Sequence, residues 1–132
     1  MSLELTGLTP LIQVFDMPES LRFYRDLLGF EVVQSSGPLD DCGWVWLRSG
    51  GAELMLNTAY DEGERPAEPD PQRRFGHDDT GLFIGARDVE AVYARLKAAG
   101  LEVEPPRVAP YGMKQVYVKD PDGFVLCFQW RA

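Results

Sequence analysis

The chain has 132 residues, of which 45% are hydrophobic and 26% charged, which is typical of a single globular domain. Its formal net charge of −8 argues against nucleic acid as a partner, because phosphate binding requires a basic surface. No apolar run approaches the roughly 18 residues of a membrane span, and the two cysteines, Cys42 and Cys127, are too few for a disulfide framework, which favours a cytoplasmic location.

The first half of the chain predicts a strand, a helix and three further strands. An alternating segment begins at Thr9 and ends at Asp16, which is a predicted helix N-cap, and Gly29 is the predicted stop. The apolar face of the helix is expected to comprise Leu21, Tyr24, Leu27 and Leu28. The strands that follow are predicted at FEVVQ (30–34), GWVWLR (43–48) and AELMLN (52–57).

A linker rich in proline and charge is predicted at residues 58–79. Its composition is typical of a solvated connection, and its length also suits a flap over a binding site. Tyr60 and Phe75 are its only aromatic residues, so we expect them to anchor it.

The second half of the chain repeats the first. The segment from Gly81 to Asp88 matches Thr9 to Asp16, and Gly100 takes the place of Gly29. The helix stripe is predicted at Val89, Val92, Leu96 and Ala99, and the strands at LEVEP (101–105), KQVYVK (114–119) and FVLCFQW (124–130). We therefore predict one α+β domain over residues 1–132, built from two βαβββ modules at about 8–57 and 80–130.

Two motifs in these modules carry a resemblance. The first module contains Asp16, Ser20, Phe23, Tyr24, Leu27, Leu28, Gly29 and Phe30, and the second contains Asp120, Pro121, Asp122 and Gly123 before its last strand. Modules of this kind resemble the vicinal oxygen chelate superfamily, which includes glyoxalase I, extradiol dioxygenases, and fosfomycin and bleomycin resistance proteins. The resemblance implies that the modules curl into an incomplete barrel, the glyoxalase/bleomycin resistance fold, around a shared cavity.

The resemblance also locates the positions at which metal-dependent members carry His and Glu ligands. These positions are Thr9, Gly81, Cys127 and either Glu53 or Met55. A catalytic divalent ion requires three or more His, Asp, Glu or Cys ligands, so we expect no metal and no cofactor. The chain is in this respect similar to the metal-free, bleomycin-resistance-like branch. His77, the only histidine, could contribute only if the linker folded inward.

Strand alternation predicts which side chains line the cavity. Tyr111 and Met113 join the set because APYGMKQ resembles a Pro-aromatic-Gly stretch of bleomycin resistance proteins. The predicted ligand-binding residues are Leu11, Gln13, Trp44, Trp46, Glu53, Met55, Phe83, Tyr111, Met113, Tyr117 and Cys127. For any single aromatic residue in this set, ordinary packing or a dimer contact would explain its position equally well.

The leading hypothesis is a homodimer that binds a small organic molecule, such as an antibiotic or toxin, without turnover. An alternative is a lyase or isomerase that uses Glu53 as a general base, or a metal-dependent glyoxalase-type enzyme assembled with His77. A third is an interaction module without a ligand. We expect Cys127 to behave as a small hydrophobic residue, because no histidine is available to activate a thiolate and Arg48 is the only candidate cation.

Overall fold

The computed structural model describes residues 2–60 and 63–132, and it contains two four-stranded mixed sheets and three α-helices. The strands are β1 Leu11–Gln13, β2 Glu31–Ser35, β3 Trp44–Ser49, β4 Ala52–Asn57, β5 Gly81–Gly85, β6 Arg107–Val108, β7 Met113–Lys119 and β8 Val125–Arg131. The strand orders are β1-β4-β3-β2 and β5-β8-β7-β6, and the β1–β4 and β5–β8 pairs are parallel. The sequence repeat is thus a repeat of topology, and the predicted α+β fold is confirmed.

The first helix departs from the regular α-helical period. Helix α1, Met17–Leu21, begins at the predicted cap, where Asp16 accepts a hydrogen bond from the Glu19 amide at 3.1 Å, and π-type turns continue it over Arg22–Leu27. The wider turns bury Phe23 as well as Tyr24, whereas Leu27 and Leu28 are only partly buried. Leu27 and Leu28 nevertheless pack against the core, so they belong to the apolar face as predicted, and Phe23 adds to it.

The second module follows its prediction except at Ala99 of the helix stripe and at the strand expected directly after the helix. Helix α3, Val89–Ala98, is capped by Asp88, and it buries Val89 and Leu96 while Ala99 is exposed. The expected strand at 101–105 is absent from the described chain, where the next strand after the helix is the short β6. The two prolines at 105 and 106 lack the N–H groups that a strand ladder requires, which explains why the predicted strand does not form.

The linker is held against the body of the protein. It contains helix α2, Pro71–Arg74, and a 3₁₀ turn, His77–Asp79. The ring of His77 stacks on Phe124 with a centroid distance of 3.9 Å, and Tyr60 packs edge-on against Phe15. Phe75 is 91% exposed, so the expectation that it anchors the linker was wrong. Asp61 and Glu62 of the predicted linker lie outside the described residues.

The motif residues of the two modules meet at the turn that joins β7 to β8. The Tyr24 hydroxyl donates to Asp120 at 2.6 Å, and the Phe15 amide and the Ser20 hydroxyl donate to Asp122 at 2.8 and 3.4 Å. Burial raises the pKa of both carboxyl groups above the ordinary value. The turn therefore ties the start of the first helix to the second sheet.

One apolar core unites the two halves of the chain. It contains residues of both sheets and helices, among them Ile12, Val14, Leu21, Val45, Leu47, Leu56, Val89, Leu96, Val116, Leu126 and Phe128. In the described part of the chain, no helix is long and apolar enough to cross a membrane.

Candidate functional site

Each sheet turns one face toward the core and the other away from it. In β3, for example, Val45 and Leu47 are buried while Trp44 and Trp46 keep part of their surface. The first open face consists of Leu11, Gln13, Trp44, Trp46, Arg48, Glu53, Met55 and Asn57. The second open face consists of Phe83, Met113, Gln115, Tyr117, Cys127 and Gln129. Strand register aligns these residues in rows across each sheet.

The first open face combines an aromatic centre with an ion pair. Arg48 Nε lies 3.0 Å from Glu53 Oε1, and its guanidinium lies 5.4 Å from the ring centroid of Trp46. The indole N–H of Trp46 is buried, and no acceptor for it exists among the residues that the structure describes. A buried donor without an acceptor is costly, so a water molecule or ligand group that reached it would stabilise this face.

A pair of amides continues the first open face beyond the tryptophan. The Asn57 side-chain amide donates to Gln13 Oε1 at 3.2 Å. Gln13 and Asn57 are aligned with Trp44 in one row of the sheet. Amide and aromatic groups therefore lie side by side on this face.

The second open face carries aromatic rings over a buried thiol. Phe83, Cys127 and Tyr117 occupy one row of the sheet, and the rings of Phe83 and Tyr117 meet edge to face at 6.3 Å. Desolvation, opposed by a hydrogen bond with Tyr117, raises the pKa of the Cys127 thiol. Arg48, the cation considered for its activation, is paired with Glu53 on the other sheet. The geometry thus gives no support to a nucleophilic role for Cys127.

A hydrogen-bond network organises the polar end of the second open face. The Gln115 side-chain amide donates to the Tyr111 hydroxyl at 2.7 Å and to Gln129 Oε1 at 2.8 Å. The Tyr117 hydroxyl donates to Gln115 Oε1 at 3.3 Å. Gln115 and Gln129 are not in the predicted binding set, although strand alternation directs both toward this face. In the sequence, two separate glutamines do not indicate a binding site in the way that a cluster of aromatic residues does.

The predicted binding residues are divided between the two sheets. Leu11, Gln13, Trp44, Trp46, Glu53 and Met55 lie on the first open face, and Phe83, Met113, Tyr117 and Cys127 lie on the second. Tyr111 precedes β7 and contacts the second face through Gln115. Over residues 2–60 and 63–132, no side-chain hydrogen bond, ion pair or ring contact joins one open face to the other.

Two clefts adjoin these faces. One, of about 470 Å³, lies between Leu11 and Gln13 on one side and Thr80 and Phe124 on the other. The second, of about 400 Å³, borders the second open face and is lined by Glu102, Val103, Glu104, Pro105, Arg107, Ala109, Gln115, Val116 and Tyr117. Both volumes lie in the range of small-molecule sites.

The donor set at the family ligand positions does not fit a catalytic metal. Thr9 and Gly81 offer no charged donor, Glu53 is engaged by Arg48, and Cys127 is buried with a raised thiol pKa. His77 Nδ1 donates to the Asp122 carbonyl oxygen at 2.8 Å, which holds the imidazole against the β7–β8 turn. In the described ranges, no three His, Cys, Asp or Glu residues are grouped so as to hold a metal ion.

Comparison with known proteins identifies the family. The profile of the glyoxalase/bleomycin resistance protein/dioxygenase superfamily matches residues 7–128. The chain belongs to this superfamily. The predicted resemblance is therefore confirmed at the level of the superfamily.

The chain is similar to one curated protein and to several solved structures. A probable lactoylglutathione lyase of Vibrio parahaemolyticus is 26% identical over 121 residues, covering 88% of this chain and 83% of that protein. The crystal structure of SMU.1112c is 29% identical with a TM-score of 0.73, over 96% of this chain and 100% of that one. A bleomycin-binding protein in complex with bleomycin is 20% identical with a TM-score of 0.69, over 97% and 100%. The last similarity concerns the fold alone.

Proposed function

We propose that this protein binds a small organic molecule on its open sheet faces and does not turn it over. The observation that carries the proposal is the exposure of apolar side chains there: Leu11 is 49% exposed, Phe83 55% and Tyr117 47%. Concave surfaces lined by aromatic groups and a few polar groups are typical of sites for small organic ligands. The buried indole N–H of Trp46 lies without a partner in the first of these sheets, among the residues that the structure describes.

Binding without a metal is the form of the superfamily that these residues support best. The ligand positions lack the donors that Lewis-acid catalysis would require, as described above. The bleomycin-binding relative shows that this fold can hold an antibiotic. We therefore propose that the chain is a member of the metal-free, bleomycin-resistance-like branch, with an antibiotic or a toxin as the class of ligand.

The assembly that we propose is a homodimer. Both open faces leave large apolar side chains in contact with solvent, and a second copy packed against part of these faces would cover some of them and leave the rest to the ligand. We also propose a cytoplasmic location, which agrees with two free cysteines, and no role for nucleic acid or membranes, in line with the net charge of −8.

The experiment that tests the proposal is a titration followed by tryptophan fluorescence, because two of the three tryptophans lie on the first open face. Bleomycin and a panel of flat heteroaromatic compounds serve as ligands. We expect saturable quenching that is weakened at least severalfold in Trp46→Phe. The control is Trp130→Phe, since Trp130 lies on the opposite face of its sheet between Arg87 and Arg131. No saturable response to any compound would refute the proposal.

A second function is favoured by the position of Glu53. Its carboxylate lies beside Trp46 on the first open face, where Arg48 orients it, so it could remove a proton from a bound substrate. The relative named as a probable lactoylglutathione lyase suggests lactoylglutathione as the compound to assay. Turnover that Glu53→Gln abolishes would favour this enzyme function over simple binding.

A further inference from the structure

The Gln115 side chain uses all of its hydrogen-bonding groups within the protein. Its amide nitrogen carries two hydrogens, which go to the Tyr111 hydroxyl and to Gln129 Oε1, and its oxygen accepts from Tyr117. The residue is only 7% exposed, so little of it is left for a ligand to touch. Gln115 therefore acts on the face through its neighbours.

The direction of these hydrogen bonds determines what Tyr111 presents to the outside. Because the Tyr111 oxygen accepts a hydrogen from Gln115, its own proton must point elsewhere. Tyr111 is 67% exposed, and its hydroxyl donates to no acceptor in the described part of the chain. Its free hydrogen is thus directed toward solvent or a ligand.

Gln129 is left in a comparable state. Its oxygen is occupied by Gln115, and among the residues that the structure describes its amide nitrogen donates to no acceptor. Together with the Tyr111 hydroxyl, Gln129 therefore supplies free donors on the second open face. A complementary ligand would supply the acceptor.

A cleft lies beside this hydrogen-bond network. The cleft of about 400 Å³ has Gln115 and Tyr117 on one wall and the segment 102–107 on the other. Glu102 and Glu104 line that second wall, and Arg107 lies 3.6 Å from Glu104. Two carboxylates with one cation make this wall unfavourable for an anionic ligand.

We infer that Gln115 is a positioning residue that turns the Tyr111 hydroxyl proton toward the ligand, so that the second open face selects flat aromatic molecules bearing an uncharged acceptor, such as a ring nitrogen or a carbonyl oxygen. The inference rests on the proposed binding function and adds the chemistry of the ligand. Tyr117 and Phe83 supply the apolar surface for the rings, and Tyr111 supplies the hydrogen bond.

The test uses two ligands of the same shape, quinoline and naphthalene, which differ by one ring nitrogen. Their dissociation constants are measured by NMR at a pH at which quinoline is neutral. The ratio of the two affinities is compared between variants. Naphthalene is the more hydrophobic ligand, but this difference affects the ratio in the same way in every variant. Tyr111→Phe should lower the quinoline preference about fivefold, which is the value expected for one neutral hydrogen bond.

Variants at Gln115 separate positioning from packing. In Gln115→Glu the carboxylate attracts the Tyr111 proton inward, so we expect the same loss, about fivefold, and no further loss in the Tyr111→Phe/Gln115→Glu double variant. Gln115→Met, which keeps the volume without a charge, should also lower the preference. Gln72→Glu on the exposed helix α2 controls for the added charge and should leave the preference unchanged.

Each result bears on a different claim. If neither quinoline nor naphthalene binds and the wider panel also fails, the proposed binding function is wrong. If both bind and the Gln115 variants weaken them equally, Gln115 has only a structural role, and the positioning inference is overturned. A preference that falls in Tyr111→Phe and in Gln115→Glu to the same level supports it.

Discussion

Cys127 stands at a position where the family resemblance implies a metal ligand, yet its side chain has no exposed surface. Val125 and Gln129, its neighbours on the same face of β8, are partly exposed. The thiol thus packs between the aromatic row above it and the core below, as a small hydrophobic residue does. Strand alternation predicts the side toward which this residue points, but it does not show how deeply it is covered.

The burial of Cys127 leads to a test with a thiol reagent. Cys42 is partly exposed, whereas Cys127 is fully buried with a raised pKa, so Ellman's reagent should modify Cys42 first and Cys127 only after unfolding. In the Cys42→Ser variant, only the modification of Cys127 is measured. Rapid modification of Cys127 in that folded variant would contradict the assignment.

The Tyr24 hydroxyl forms a hydrogen bond that joins the first module to the second. Its hydrogen bond to the buried Asp120 carboxylate should make Tyr24→Phe less stable by about 1–3 kcal/mol, measured by urea denaturation. Tyr93→Phe is the matched control, since the Tyr93 hydroxyl has no hydrogen-bond partner within the described ranges. Equal effects of the two substitutions would show that the Tyr24 hydroxyl contributes little.

At the scale of elements, the β7–β8 turn is held by carboxylates that are out of contact with water. Asp120 accepts hydrogen bonds from the Asp122 and Phe124 amides at 2.9 Å, as well as from Tyr24. Burial is the largest influence on its pKa and raises it, although these hydrogen bonds oppose the shift. The turn motif therefore introduces a pH dependence into folding.

The sign of that dependence follows from proton linkage. A raised pKa means that the folded protein binds the Asp120 proton more tightly than the unfolded chain does, so stability is lost as the pH rises from about 4 toward the folded pKa. Asp120→Asn cannot titrate, so its stability relative to wild type should rise across this window, measured by urea denaturation at several pH values. A difference that stays flat with pH would contradict the raised pKa.

A control with the opposite sign is available on the surface. Arg25 lowers the pKa of Asp40 through a side-chain hydrogen bond. The contribution of Asp40 is present above about pH 4 and is lost as the pH falls through the folded pKa, so Asp40→Asn should lose stability relative to wild type as the pH rises through that lower window.

The elements also show where local patterns suffice. Both predicted caps, Asp16 and Asp88, accept hydrogen bonds from the first turns of their helices, and β4 covers the predicted 52–57 segment. The π-type turns after Leu21 and the lost strand at 101–105 were not predicted. Helical spacing predicts that Tyr24 lies on the apolar face, but it does not show that the Tyr24 hydroxyl contacts Asp120 of the distant turn motif.

For the whole molecule, the two open faces lead to a prediction about assembly. If a second copy covers them, the protein should be a dimer at micromolar concentration by light scattering coupled to gel filtration, and Phe83→Glu should produce a monomer because it adds a carboxylate to the second open face. Phe75→Glu is the control, since Phe75 is an exposed aromatic residue outside both faces. A monomeric wild type would refute the proposed homodimer.

The sequence by itself determined the repeat, the helix caps, the turn motif and the faces of most strands. These features depend on the spacing of residues close together in the chain, where the periods of helix and strand apply directly. It also determined the superfamily, since the motifs that carry the resemblance are caps and turns.

Only the tertiary structure decided how distant groups combine. Ser20 and Tyr24 reach carboxylates about a hundred residues away, Phe124 and the carbonyl oxygen of Asp122 hold His77, and Gln115 joins Tyr111, Tyr117 and Gln129 in one network. Such contacts arise from strand order and packing across the domain, which local spacing does not encode. The family ligand positions likewise acquired their chemical character, an ion-paired Glu53 and a buried Cys127, from the strands folded beside them.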